Sequence, residues 1–128
     1  MKRVWLLAFL SVFIMNCQSA VDKEYLIEPE TLNDTLSESD SVQLIDVRTP
    51  EEFKVSHIEG SKNYNFFDEK FVELISSLSK EKPVYLYCRS GKRSGKSIEE
   101  FLKLGFGKIY SLDGGIKNWE SKGFKVSR

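Results

Sequence analysis

The sequence predicts an α/β domain built around a mainly parallel sheet. Three observations carry that prediction. Short apolar runs of strand length alternate along the chain with segments whose apolar residues recur at helical spacing. The 128 residues suffice for one domain with a real core and leave no room for a second. The run Val84-Tyr85-Leu86-Tyr87 delivers Cys88 into a loop of glycine, hydroxyls and cations, and ligands of parallel sheets gather at such carboxyl ends of strands.

The elements follow in order. Tyr25-Leu26-Ile27 suits an edge strand, and Pro29 to Leu36 a short helix with proline in its opening turn. Val42 to Val47 is a buried strand, after which Thr49 caps a helical turn through Pro50, Glu51, Glu52 and Phe53. A short strand is predicted over Lys62 to Asn65. Asp68 to Leu78 puts Phe71, Val72, Leu74, Ile75 and Leu78 on one helical face. The strand Val84 to Tyr87 comes next, then the loop, then a helix opening near Arg93 or Ser94 and running to Leu104, with Ile98, Phe101 and Leu102 at helical spacing. A strand over Lys108 to Leu112 and a helix over Gly115 to Ser121, carrying Ile116 and Trp119, complete the chain.

The first residues carry an address. Lys2 and Arg3 precede an apolar run from Val4 to Met15 that is short for a membrane span, the pattern of a secretory signal peptide. Phe13-Ile14-Met15-Asn16-Cys17 resembles the lipobox of bacterial lipoproteins, in which cleavage precedes a cysteine that becomes the lipidated first residue. Asn16 departs from the small residue usual before that cysteine, and cleavage after Ser19 or Ala20, or an uncleaved anchor, are the competing readings. The expected organisation is a signal peptide over 1–16, a polar tether over 17–24 and a domain over 25–128. Cys17 would hold the protein on the periplasmic side of an inner or outer membrane through two or three acyl chains.

Charge and cysteine count exclude several classes. Lysines plus arginines and aspartates plus glutamates number 19 each, and removing 1–16 takes two bases and no acids, so no nucleic-acid partner is implied. Between Gln18 and Ser41 seven acids face a single Lys23, and the cations gather in the second half, where Cys88 lies. Cys17 and Cys88 are the only cysteines, and lipidation would consume the first. A disulfide framework and a Cys-x-x-Cys exchange are thereby excluded. With His57 as the only histidine, no metal site is expected, and no cofactor is implied.

The loop Cys88-Arg89-Ser90-Gly91-Lys92-Arg93-Ser94 has the composition of a thiolate and anion site. Helix N-termini and neighbouring cations stabilise a thiolate, and Gly91 lets successive amides curl inward as a nest. Arg89, Lys92 and Arg93 place full charges around the rim. The alternative, a buried structural cysteine beside a solvated basic turn, accounts for neither the cations nor the glycine.

Four separated stretches resemble the signatures of a single-domain rhodanese. Leu44-Ile45-Asp46-Val47-Arg48-Thr49-Pro50-Glu51-Glu52-Phe53 is similar to the first, and His57-Ile58-Glu59-Gly60-Ser61-Lys62-Asn63 to the second, with Ser61 in place of alanine. Val84 to Ser94 resembles the active loop, and Leu112-Asp113-Gly114-Gly115-Ile116-Lys117-Asn118-Trp119 the closing Gly-Gly-x-x-x-Trp. The likeness runs from about Tyr25 to Phe124. It implies a rhodanese-like fold with helices on both faces of the sheet and a sulfurtransferase acting through a persulfide on Cys88. The implied donor is a small anion such as thiosulfate, the acceptor cyanide or a thiol, and the protein a monomer.

Roles are assigned residue by residue on that footing. Arg89 and Arg93 would grip the anion through paired N–H bonds, and Lys92 would steer it from farther away. Ser90 and Ser94 either donate to the sulfur or, the favoured reading, cap the loop and helix. Asp46 and Arg48 would shape the site as an ion pair rather than react. His57 is expected to hydrogen-bond backbone instead of acting as a base, Trp119 and the Phe66-Phe67 pair to form core or pocket wall, and Glu51 and Glu52 to be solvated charges at a helix start. A phosphatase or arsenate reductase is disfavoured, because four residues separate Cys88 from Arg93 where that chemistry uses five, and Tyr87 stands where a histidine would precede the cysteine. A persulfide carrier that loads sulfur without turnover uses the same residues.

Overall fold

The computed structural model describes residues 21–128, so the expected signal peptide, Cys17 and the first part of the tether lie outside the described residues. Five strands form one sheet: β1 (Leu26–Ile27), β2 (Gln43–Asp46), β3 (Lys62–Asn63), β4 (Val84–Tyr87) and β5 (Ile109–Leu112). Their spatial order is β1-β5-β4-β2-β3, and every pairing is parallel. Parallel neighbours need a crossover between them. The crossovers use α1 (Pro29–Glu38), α2 (Pro50–Val55), α3 (Phe71–Ser76) and α4 (Lys92–Lys103), and α5 (Gly115–Ser121) follows the last strand.

Strand alternation sorts the core into two layers. Ile45, Val84, Leu86 and Ile109 face one side, where Phe71 and Ile75 of α3 and Ile98 and Phe101 of α4 cover them. Leu44, Tyr87 and Leu112 face the other, against Leu32 of α1 and Ile116 and Trp119 of α5. Helices therefore pack on both faces, and Phe101 meets Phe71 and Phe106 edge-on at 6.2 and 5.2 Å between ring centres. Each such ring contributes about 1.5–3 kcal/mol by leaving water. Trp119 belongs to this core, with its indole N–H donating to the Lys125 carbonyl at 3.0 Å.

Several expectations change at element ends. Helix α3 begins at Phe71 rather than Asp68, because the Asp68 carboxylate and carbonyl accept the Lys70 and Phe71 amides and fold residues 68–70 into a turn. Val72 is correspondingly exposed, and so is Phe67, whereas Phe66 packs on the core. Helix α4 opens at Lys92, one residue before the earlier of the two starts expected for it, with Gly91 as its N-cap at φ 99°. The polar tether expected over 17–24 gives way to packed chain by Val21, whose side chain lies against Gly95 of α4. Lys23–Tyr25 then form a single 3-10 turn.

Candidate active site

Strand β4 is central, and its carboxyl end sets Cys88 on the α3/α4 face with 1% of its surface exposed. The chain then turns sharply, and the Gly91 amide points back to donate to Cys88 Sγ at 3.1 Å. The turn requires the left-handed conformation that glycine adopts without strain. The first i→i−4 bond of α4 runs from Gly95 N–H to the Gly91 carbonyl at 3.0 Å, so the amides of Lys92, Arg93 and Ser94 precede the helical ladder and the dipole's positive end lies beside the sulfur.

Ser94 is neither N-cap nor surface residue. It is fully buried, and its hydroxyl lies 3.5 Å from Cys88 Sγ and 3.3 Å from the Gly91 carbonyl. The capping role expected of it is therefore corrected: Gly91 occupies the cap position, and one turn of helix brings the Ser94 hydroxyl to the sulfur. Ser90, Arg89 and Lys92 are exposed on the outer side of the loop.

The other half of the loop is held from α5. The amides of Ile116 and Lys117 donate to the Cys88 and Arg89 carbonyls at 2.9 and 3.0 Å. That approach is possible because Gly115, at φ 64°, presents no Cβ to the loop backbone. Gly115 thus serves docking of one backbone onto another, while Gly114 makes room for the Asn118 side chain.

Arg93, expected to grip the anion, is engaged by a carboxylate. Its guanidinium donates to both carboxylate oxygens of Glu52 on α2, at 2.6 and 2.9 Å. Glu52 is accordingly a partner and not a solvated charge; its amide also donates to the Thr49 hydroxyl at 3.3 Å, which caps α2 as predicted. The bond from Arg93 holds the Glu52 carboxyl down to about 2. At face value that depression is worth about 3 kcal/mol, and the partial exposure of both side chains reduces it to about 1 kcal/mol. The stabilisation is full above the ordinary glutamate value and fades as pH falls toward 2. Glu52→Gln is therefore expected to lower stability by about 1 kcal/mol at pH 7, with the difference closing near pH 2. Urea unfolding at several pH values reads this directly, and a pH-independent difference would discount the ion pair.

Asp46 and Arg48 form the buried ion pair the sequence suggests. Arg48 donates to Asp46 through Nε and through Nη2, the latter at 2.6 Å, and Nη2 also reaches the Ser56 carbonyl at 2.7 Å. Burial alone would weaken the guanidinium's charge, but the Asp46 carboxylate outweighs it and raises the Arg48 pKa. The guanidinium carbon sits 5.6 Å from the centre of the Tyr87 ring. Tyr87 is itself buried, which raises its pKa, and its oxygen accepts the Ile58 amide at 3.0 Å. His57 stacks on Phe53 at 3.9 Å, with Nδ1 2.9 Å from the Phe53 carbonyl and its backbone bridged to Ser127.

A cavity of about 350 Å³ opens beside the loop, bordered by Arg48, Ser56, Arg89, Lys117 and Glu120 and by the exposed side chain of Val55. The exposed cations lining it are Arg89 and Lys117, and Lys92 stands exposed on the loop outside it. Lys117 was not singled out by the sequence; its place two residues after Gly115 was the available signal. Ser111 was also missed. This buried residue of β5 lies 2.8 Å, hydroxyl to hydroxyl, from Ser94.

Comparison with known proteins agrees with this arrangement. The chain is 34% identical over 117 residues to the uncharacterized protein YqhL of Bacillus subtilis (strain 168), covering 91% of each. It is 33% identical over 79 residues to the thiosulfate sulfurtransferase GlpE of Pseudomonas aeruginosa (strain LESB58), covering 62% of this chain and 70% of that protein. The crystal structure of a rhodanese-related protein from Thermoplasma volcanium superimposes with a TM-score of 0.70 at 26% identity, over 80% of this chain and 96% of that one. A family model described as the rhodanese-like domain matches residues 28–122. With sheet, loop and match in agreement, the chain belongs to the rhodanese-like domain family.

Proposed function

We propose that the protein is a thiosulfate sulfurtransferase working through a persulfide on Cys88. The observation that carries the reading is the sulfur itself, set at the end of the central strand and receiving the Gly91 amide and the Ser94 hydroxyl. The Cys88 thiolate attacks the outer sulfur of thiosulfate, the S–S bond of the donor breaks, and sulfite leaves with the electron pair. The new Cys88 persulfide anion forms at the positive end of α4, where the amides of Lys92, Arg93 and Ser94 precede the helical ladder and favour negative charge. Cyanide or a thiolate then attacks the terminal sulfur, and the Cys88 thiolate is restored. Arg89 and Lys117, the exposed cations at the cavity, draw in the anionic donor. Arg93 acts at one remove, pinning the start of α4 to α2 through Glu52. That engagement also counts against a phosphatase, whose loop arginine must grip the phosphoryl oxygens.

The test is the mass of the full chain after incubation with thiosulfate and again after cyanide. One added sulfur, lost with cyanide and absent from Cys88→Ala, is the expected result. Loading without multiple turnover would move the assignment to a sulfur carrier, and no loading would remove thiosulfate as donor. We further propose that the protein is an exported lipoprotein anchored at Cys17. An unmodified peptide spanning Cys17, recovered from the mature protein by mass spectrometry, would refute that anchor alone.

A further inference from the structure

Strand β5 carries a hydroxyl where its neighbours carry hydrocarbon. Alternation turns Ile109 and Ser111 toward α4 and Tyr110 and Leu112 toward the opposite layer, and Ser111 has no exposed surface. A buried serine on an apolar face needs a partner for its proton. Among the described residues its side chain has one, the Ser94 hydroxyl at 2.8 Å.

Two hydroxyls bring two protons, and the surrounding acceptors fix their order. Ser94 Oγ also lies within reach of Cys88 Sγ at 3.5 Å and the Gly91 carbonyl at 3.3 Å, neither of which donates to it when the sulfur is a thiolate. Were Ser94 to give its proton to Ser111, the Ser111 proton would be left unpaired in the interior, which is costly. The reverse order satisfies everything. Ser111 donates to Ser94, and Ser94 is free to donate onward. Between sulfur and carbonyl, a charged sulfur is the stronger acceptor.

We infer that Ser111 is a positioning residue for the sulfur chemistry: its hydroxyl occupies the acceptor side of Ser94 and turns the Ser94 proton onto Cys88. The inference deepens the sulfurtransferase reading and rests on it for its biological meaning. Its geometry also places the end of β5 in the active site, which neither the loop nor its flanking glycines foretell.

The experiment follows thiolate formation at Cys88 without any sulfur donor, so a failure of thiosulfate to react leaves it intact. The full chain is alkylated with iodoacetamide across a pH series, and the rate is read at the Cys88 peptide by mass spectrometry. Ser111→Ala is expected to raise the midpoint of the pH–rate profile and to slow alkylation below it about 3- to 10-fold, since the bond to sulfur is charge-assisted and is only loosened. In a Ser94→Ala background the same substitution should produce no further shift, because the path runs through Ser94. Ser111→Thr retains the hydroxyl and should keep the wild-type midpoint even if Ser111→Ala proves too unstable to assay. An unchanged midpoint in folded Ser111→Ala, a full shift surviving in the Ser94→Ala background, or a Thr variant shifted like Ala would each overturn the assignment. A purely structural role would move melting temperature and leave these midpoints together.

Discussion

Replacing Cys88 with serine is expected to lower thiosulfate–cyanide turnover by at least about a thousandfold while leaving the fold in place. Serine fits the same 1% exposed site, and its oxygen still accepts the Gly91 amide that now bonds sulfur at 3.1 Å. What it lacks is chemistry, since a hydroxyl is not ionised at neutral pH and oxygen forms no persulfide. The stability change should be about 1 kcal/mol or less, as for other near-isosteric exchanges. Thiocyanate production and a thermal melt on the same sample separate the two effects. A variant within tenfold of wild-type activity would mean that sulfur travels by another route.

Gly115→Ala is expected to cost about 3 kcal/mol and to reduce turnover about ten- to a hundredfold in the protein that remains folded. Its new Cβ would come within 2.6 Å of the Cys88 carbonyl oxygen and nearer still to the Arg89 carbonyl, and backbone atoms cannot step aside as a flexible side chain does. Relief requires α5 to back away, which stretches the Ile116 and Lys117 amide bonds that hold the loop. Gly105→Ala is the matched control. Gly105 has φ 91° with open space around it, so only the left-handed strain of about 1 kcal/mol applies and turnover should not change. Equal effects at the two glycines would show that conformation alone, not the encounter with the loop, limits Gly115.

What could be read in one dimension was what the chain writes contiguously. The run Val84 to Tyr87 followed by cations and glycine announces strand, turn and helix within a dozen residues, and the Asp46–Arg48 pair is two positions apart. Interactions between distant elements were not legible. Glu52 reads as an ordinary helix-start acid until folding brings α2 against α4, 41 positions later in sequence. Arg93 reads as an anion ligand because it sits in the loop, yet as the second residue of α4 its guanidinium is engaged by Glu52 of α2. Ser111 looks like a neutral strand residue, and only its register with Ile109 marks a hydroxyl facing the core. Phe67 was misjudged for the opposite reason, since an aromatic doublet beside a turn can bury only one of its rings.

The strand order has a consequence for the life of the chain. The edge strand at Leu26 and Ile27 joins the sheet only through Ser111 and Leu112, the last strand to be made, and the loop carbonyls wait for amides that follow it. Such remote pairings close late. The ribosome must release nearly the whole polypeptide before the sulfur is enclosed. Until then Cys88 is an open thiol in a polymer without a sheet, vulnerable to oxidants and to stray disulfides. A chain clipped ahead of Ile109 would stay in that condition permanently, so loss of residues 109–128 should leave a reactive cysteine that no sheet encloses.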